Sequence, residues 1–159
     1  VSYGYAITTY VGQNLGAKKY RRIRNGVRSG VYMALITSIV ISGVMVITGR
    51  NILSLFVSGE AGQVKQVLDI AYKYLFIMAI FLWVLYLLYV YRSAIQGLGN
   101  TLIPLASGVV EFCRRVGVAL LLPKLIGEDG IFYAEISAWS GAAILLIVSY
   151  VVIIRKYKE

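Results

Sequence analysis

Four apolar runs, separated by short charged segments, dominate this sequence. The first is Val31–Thr48, ended by Arg50. The second, Tyr74–Tyr91, follows Asp69 and Lys73 and stops at Arg92. The third, Thr101–Leu122, is closed by Pro123 and Lys124, and the fourth, Ile131–Ile154, by Arg155, Lys156 and Lys158. A bilayer's hydrocarbon core is roughly 30 Å thick and takes about 20 apolar residues to cross as a helix, so each run predicts a transmembrane helix. Residues 1–11 are apolar but too short to span and predict the end of a further helix. With 59% hydrophobic and 14% charged residues, the chain is neither an ordinary soluble domain nor disordered. The expected fold is all-α: a polytopic membrane helix bundle of four full transmembrane helices plus the end of a fifth.

The charges give an orientation, because basic loops stay on the cytoplasmic side. Segment 12–30 holds Lys18, Lys19, Arg21, Arg22, Arg24 and Arg28 without an acid and reads as a basic cytoplasmic linker. Loop 50–69 balances Arg50 and Lys65 against Glu60 and Asp69. Turn 92–100 has one Arg, loop 123–130 sets Lys124 against Glu128 and Asp129, and the tail sets three bases against Glu159. The alternation inside, outside, inside, outside, inside is the parity that four spans require, and it puts the C-terminus in the cytoplasm of a plasma-membrane protein. A Lys/Arg cluster can also neutralise nucleic-acid phosphates. Here it lies directly between a hydrophobic end and a spanning helix, which points to a topology anchor that attracts anionic lipid and to no nucleic-acid partner.

Several chemistries are absent. There is no His, which removes serine-type triads, His-ligated zinc and imidazole relays. The single Cys113 forms neither a disulfide nor a metal cluster and, in apolar surroundings, predicts a buried packing thiol. No metal site and no cofactor are expected. The chain begins at Val1 with no signal-peptide pattern, which suggests a fragment.

Small residues indicate how the spans pack. Gly30, Ala34, Ser38 and Ser42 recur every fourth position, as do Ala134, Ala138 and Ala142 beside Ser137 and Gly141. Such stripes let helices approach closely where lipid gives no hydrophobic drive. Aromatics fall into two interfacial groups: Tyr72, Tyr74, Phe132, Tyr133 and Trp139 toward one side, Tyr20, Tyr89, Tyr91 and Tyr157 toward the other. Phe76, Trp83 and Tyr86 lie deeper, either packing or facing a cavity where their rings attract an organic cation.

The third run carries the strongest functional signal. Glu111, Arg114 and Arg115 lie near its middle, Glu111 about 15 Å from the cytoplasmic end. Spacings of three and four put both bases on the face of Glu111, and Ser107 and Gly108 continue that face. Charges at this depth cost several kcal/mol unless they pair or meet water. Two readings stay open: a Glu111–Arg115 pair that fixes packing, or a carboxylate that takes up H⁺ or Na⁺ while Arg114 and Arg115 tune or gate it. Glu135, closer to the outer side, is a weaker candidate.

Two Gly-bearing segments bracket the cytoplasmic turns. Val11-Gly-Gln-Asn-Leu-Gly-Ala17 contains Gly12, Gln13 and Gly16, and Gln96-Gly-Leu-Gly-Asn-Thr101 contains Gly97 and Gly99. Gly suits helix exits and Asn100 can cap the next helix, so both read as structural punctuation. The first run, followed by its basic segment, resembles the signature at the cytoplasmic end of the second helix of each half in multidrug and toxic compound extrusion (MATE) transporters. Arg92-Ser-Ala-Ile-Gln-Gly-Leu-Gly-Asn-Thr-Leu-Ile-Pro104, with Arg114 or Arg115 ten or eleven residues on, resembles the start of that family's eleventh helix.

The resemblance implies that residues 1–159 are the end of helix eight and helices nine to twelve, an incomplete C-terminal part of a six-helix lobe whose N-terminal partner lobe is missing. It implies an antiporter exporting cationic amphipathic compounds against inward Na⁺ or H⁺ by alternating access, with no enzymatic activity. In some relatives an acid within the tenth helix helps bind the coupling cation; Tyr74–Tyr91 has none, so coupling would rest on Glu111 or on the missing lobe. Two alternatives remain: a lipid-linked precursor flippase of the same superfamily, using Arg114 and Arg115 to hold pyrophosphate, and a non-transporting four-helix membrane subunit.

Overall fold

A lipid-embedded backbone must satisfy its own polar groups, which drives long apolar runs into helices. The computed structural model has this form and describes residues 2–57, 61–127 and 130–157. In chain order come α1 (Ser2–Gly16), α2 (Tyr20–Ser54), α3 (Ala61–Gly97), α4 (Leu102–Leu121), the single turn α5 (Pro123–Ile126) and α6 (Gly130–Lys156). No strand occurs among the described residues, and the expected all-α bundle is found. Three helices, α2, α3 and α6, are long and apolar enough to cross a membrane. Helix α4 has 20 residues, about 30 Å, but holds Glu111, Arg114 and Arg115 in its middle, so its composition sets it apart.

The helices extend well past the apolar runs. Helices α2 and α3 have 35 and 37 residues, more than 50 Å each at about 1.5 Å per residue. The basic stretch 12–30 is therefore mostly not a linker, and only Ala17–Lys19 lie between helices. Arg and Lys are good helix formers, and Arg21, Arg22, Arg24 and Arg28 ride on the first turns of α2. Loop 50–69 contracts likewise, since Arg50 and Asp69 lie on α2 and α3 and pair at 2.7 Å. Glu60, Glu128, Asp129, Lys158 and Glu159, used in the loop charge balance, lie outside the described residues, as does Val1.

Helix α3 is central, packing against α1, α2 and α6, while α4 packs chiefly against α6. Contacts run antiparallel along α2 and α3: Tyr72 donates to the Val46 carbonyl at 2.9 Å and Ser42 to the Ala79 carbonyl at 2.6 Å. Both small-residue stripes do pack inward. Gly30, Ala34 and Ser38 are buried, and so are Ala134, Ala138 and Ala142. The opposite face of α2, with Met33, Ile36, Val40 and Ile47, is exposed, as a lipid-facing surface would be. The aromatic grouping holds at contact level too, Tyr74 stacking with Phe132 and Tyr20 with Tyr157. Cys113 is exposed on α4, not buried, because that helix is covered mainly by α6 alone.

Glycine roles are divided differently from the sequence expectation. Gly97 is a close-approach residue where α3 meets α1, while Gly12 on the facing side has room for a side chain. A Cβ on Gly97 would lie 2.7 Å from the Thr8 carbonyl oxygen, and one on Gly12 would lie 3.7 Å from the Gly97 carbonyl oxygen. The exit from α3 belongs to Gly99, φ 82°, with the Asn100 N–H bonded to the Ile95 carbonyl at 3.2 Å. Asn100 caps α4 as expected, its Oδ1 accepting the Ile103 N–H at 3.1 Å. At the α1 exit the left-handed position is held by Lys18, φ 55°, not by Gly16. Lys19 N–H bonds to the Asn14 carbonyl there at 2.8 Å.

These contacts set three stability changes, each read from thermal unfolding of the intact gene product in detergent. Gly97→Ala should destabilise by about 1–3 kcal/mol, because backbone and a β-branched Cβ must move. Gly43, whose Cβ would meet nothing within 4 Å, should accept Ala with no loss. Lys18→Gly should gain about 0.5–1 kcal/mol by relieving the left-handed strain. Equal effects of the two alanines would refute the close-approach assignment.

Candidate functional site

The turns between helices set which charges meet. Arg92 lies five residues before the end of α3 and Ser107 five after the start of α4, so the short turn at 98–101 brings them to one height. Arg92 Nη2 donates to Ser107 Oγ at 3.1 Å and to Glu111 Oε2 at 3.0 Å. Ser107 is fully buried and donates to the Pro104 carbonyl at 2.7 Å. One turn further along α4, Arg115 reaches Glu111 Oε1 at 3.4 Å and, across to α6, Glu135 Oε2 at 2.8 Å. The result is a continuous chain, Arg92–Glu111–Arg115–Glu135, that ties α3, α4 and α6 together.

Its placement follows from helical spacing. Ser107, Glu111 and Arg115 recur at intervals of four and share one face of α4, as the sequence predicted. The chain runs lengthwise, from near the C-terminal end of α3 to near the N-terminal end of α6. Both oxygens of Glu111 are engaged by guanidinium groups. Arg114 leaves this chain: Nε and Nη2 donate to Ser137 Oγ at 3.2 and 3.0 Å, and its aliphatic stem lies over Gly141 on the α6 small-residue stripe. Arg92 Nε is buried and has no hydrogen-bond partner among the described residues.

Glu111, Arg115, Ser107 and Glu135 thus come together, and Glu135 is a full member of the chain, not a peripheral candidate. Glu111 is not satisfied by Arg115 alone, because Arg92 supplies the shorter contact. Arg92 was read from sequence as the charge that ends the second run and opens the Arg92–Pro104 stretch, not as a partner of Glu111. Its equal distance from the turn with Ser107 was the available signal. Trp83 and Phe76 are exposed on α3 and apart from the chain, and Tyr86 lines a small recess with Tyr3 and Tyr89. Gln13 and Gly16 lie at the α1 exit and Pro104 is buried in the first turn of α4, all structural positions. No grouping of ligands able to hold a metal is found among the described residues.

The chain can exchange ion-pair partners; it offers no nucleophile. Its strength follows from burial. The side chains of Arg92 and Glu111 are 23% and 20% exposed, against 53% and 50% for Arg50 and Asp69 at a similar contact distance. A double-mutant cycle on Arg92→Gln and Glu111→Gln should give a coupling energy of about 1–2 kcal/mol in thermal unfolding. The Arg50–Asp69 cycle should give about 0.2–1 kcal/mol. Equal couplings would show that depth does not strengthen the inner pair.

The MatE family model matches residues 1–121, a stretch that includes Arg92, Ser107, Glu111, Arg114 and Arg115 and stops before Glu135. No curated protein matches the chain closely enough to be counted as a relative. With the match covering most of the sequence, and helices long and apolar enough to span a membrane, the chain belongs to the MatE family of membrane transporters.

Proposed function

We propose that this chain serves a secondary active exporter of cationic amphipathic compounds, working by alternating access and driven by inward Na⁺ or H⁺. It lies in the plasma membrane with its basic end and C-terminus cytoplasmic, and it works with a partner lobe of the same protein. The observation that carries the reading is Glu111, a carboxylate at membrane depth with each oxygen held by a different arginine. A coupling cation gains Glu111 only by displacing a guanidinium: displacing Arg92 loosens α4 from α3, and displacing Arg115, which sits on α4 itself, leaves that arginine to Glu135 of α6. Binding and helix position are linked in this way, and cation binding biases which side is open.

The flippase alternative requires Arg114 and Arg115 free to hold pyrophosphate. Both are engaged, Arg114 by Ser137 and Arg115 by two carboxylates, which favours export. A non-transporting subunit is disfavoured by membership of a transporter family.

The test is dye export. In vesicles carrying the intact gene product, Glu111→Gln should lower cation-driven efflux of a fluorescent cationic dye about tenfold or more, roughly 1.4 kcal/mol of lost coupling. Efflux with unchanged rate and unchanged cation dependence would remove Glu111 from the mechanism.

A further inference from the structure

A second polar site lies at the basic end, away from the ion-pair chain. A cavity of about 240 Å³ opens between α2, α3 and α6, walled by Arg24, Arg28, Tyr32, Tyr91 and Tyr150. Two of its groups are fixed in place. Arg24 Nη2 donates to the Tyr157 carbonyl at 2.7 Å, and Tyr20 stacks on the Tyr157 ring at 5.2 Å, so the start of α2 clamps the end of α6. Arg28 rests on Tyr32, its guanidinium carbon 5.6 Å from the ring centre and Nη2 3.2 Å from the hydroxyl.

Among the described residues nothing neutralises this cavity. No acid lines it, and neither arginine has a carboxylate partner among the described residues. The Tyr150 side chain is only 7% exposed, and its hydroxyl is buried with no hydrogen-bond partner among the described residues. A buried O–H donor without an acceptor is costly. The N–H groups that Arg24 and Arg28 have left over, with the unsatisfied Tyr150 hydroxyl buried in the wall behind them, form a receptor for an oxyanion, and arginine's planar fork suits phosphate oxygens.

The height of the cavity selects the source of that oxyanion. Arg24 and Arg28 lie in the first turns of α2, just outside the apolar run that begins at Val31. From Tyr32 onward the exposed face of α2 is apolar, with Met33, Ile36 and Val40 available to acyl chains. A volume of 240 Å³ holds about eight waters at roughly 30 Å³ each, room for a phosphodiester with a small alcohol and more than a bare ion needs. We propose that this cavity binds the phosphodiester headgroup of an anionic phospholipid from the leaflet on the basic side. This is a defined site, distinct from diffuse attraction to the six bases at 18–28.

The experiment titrates the intact gene product in detergent with dioctanoylphosphatidylglycerol, dioctanoylphosphatidylcholine or inorganic phosphate, following thermal unfolding. Phosphatidylglycerol should bind about tenfold more tightly than phosphatidylcholine. Arg28→Gln should weaken it about fivefold, and Tyr150→Phe about threefold, while Arg21→Gln, an exposed base on the same helix outside the cavity, should change it less than about twofold. Without lipid, Tyr150→Phe should be as stable as the parent or more so, which separates a lost ligand contact from misfolding. Equal weakening by Arg21→Gln would overturn the site in favour of diffuse attraction. Inorganic phosphate reproducing the stabilisation at the same concentration would overturn the lipid as its source. Transport plays no part in the readout, so failure here leaves the proposed export function standing.

Discussion

Holding guanidiniums and carboxylates partly buried between helices is the constraint around which this bundle is arranged. An unpaired charge there costs several kcal/mol, so Glu111 and Arg115 on α4 need partners from other helices. Arg92 from α3 and Glu135 from α6 supply them, and those two contacts fix the rotation of α4 about its axis. Arg114, beside Arg115 in sequence, also reaches α6, at Ser137 and Gly141, and pins the same rotation a second time. Helix α4 is thus positioned by polar contacts of defined direction, where α2 and α3 are positioned by close apolar packing.

Close packing in turn depends on the absence of side chains. Lipid tails are as apolar as Leu, so helices gain little by hiding apolar surface from them and associate through short-range contact. The buried stripes on α2 and α6 serve that end, and on α3 Gly97 lets the backbone of α1 approach closely at Thr8 and Val11. The basic end adds a polar fastening, since Arg24 of α2 holds the carbonyl ends of α6. Cations are favourable at a helix C-terminus, where unpaired carbonyls carry partial negative charge.

Much of this was legible in the sequence because the governing rules are local. Hydrophobic length marked the long apolar helices α2, α3 and α6, four-residue spacing gave the packing stripes, and the i, i+4 relation gave the shared face of Ser107, Glu111 and Arg115. Helix ends were less legible. Arg and Lys continue a helix into water as readily as they begin a loop, so the basic stretch after Lys19 read as a linker while folding as the start of α2. Residues that act across a turn were hardest. The roles of Arg92 and Glu135 depend on where α3, α4 and α6 end, and a shift of two residues in either turn would carry them past their partners. Gly97 was misread for a related reason, because composition alone does not separate a glycine that turns the chain from one that admits a neighbouring helix.

The proposed coupling also sets a requirement on energy. Moving a two-state transporter from 1:99 to 99:1 takes about 5.5 kcal/mol of differential binding between its states. One exposed pair such as Arg50–Asp69, worth about 0–1 kcal/mol, falls far short. A linked chain is better suited. Glu111 is held on one oxygen by α3 and on the other by Arg115, which in turn holds α6. A cation at Glu111 therefore breaks the α3 link directly and leaves Arg115 to its α6 partner, Glu135, while the released Arg92 must find a new partner or water. The buried Arg92 Nε, already without a partner, makes the α3 link the less complete of the two. In the proposed cycle α4 therefore parts from α3 before it parts from α6, its main packing partner.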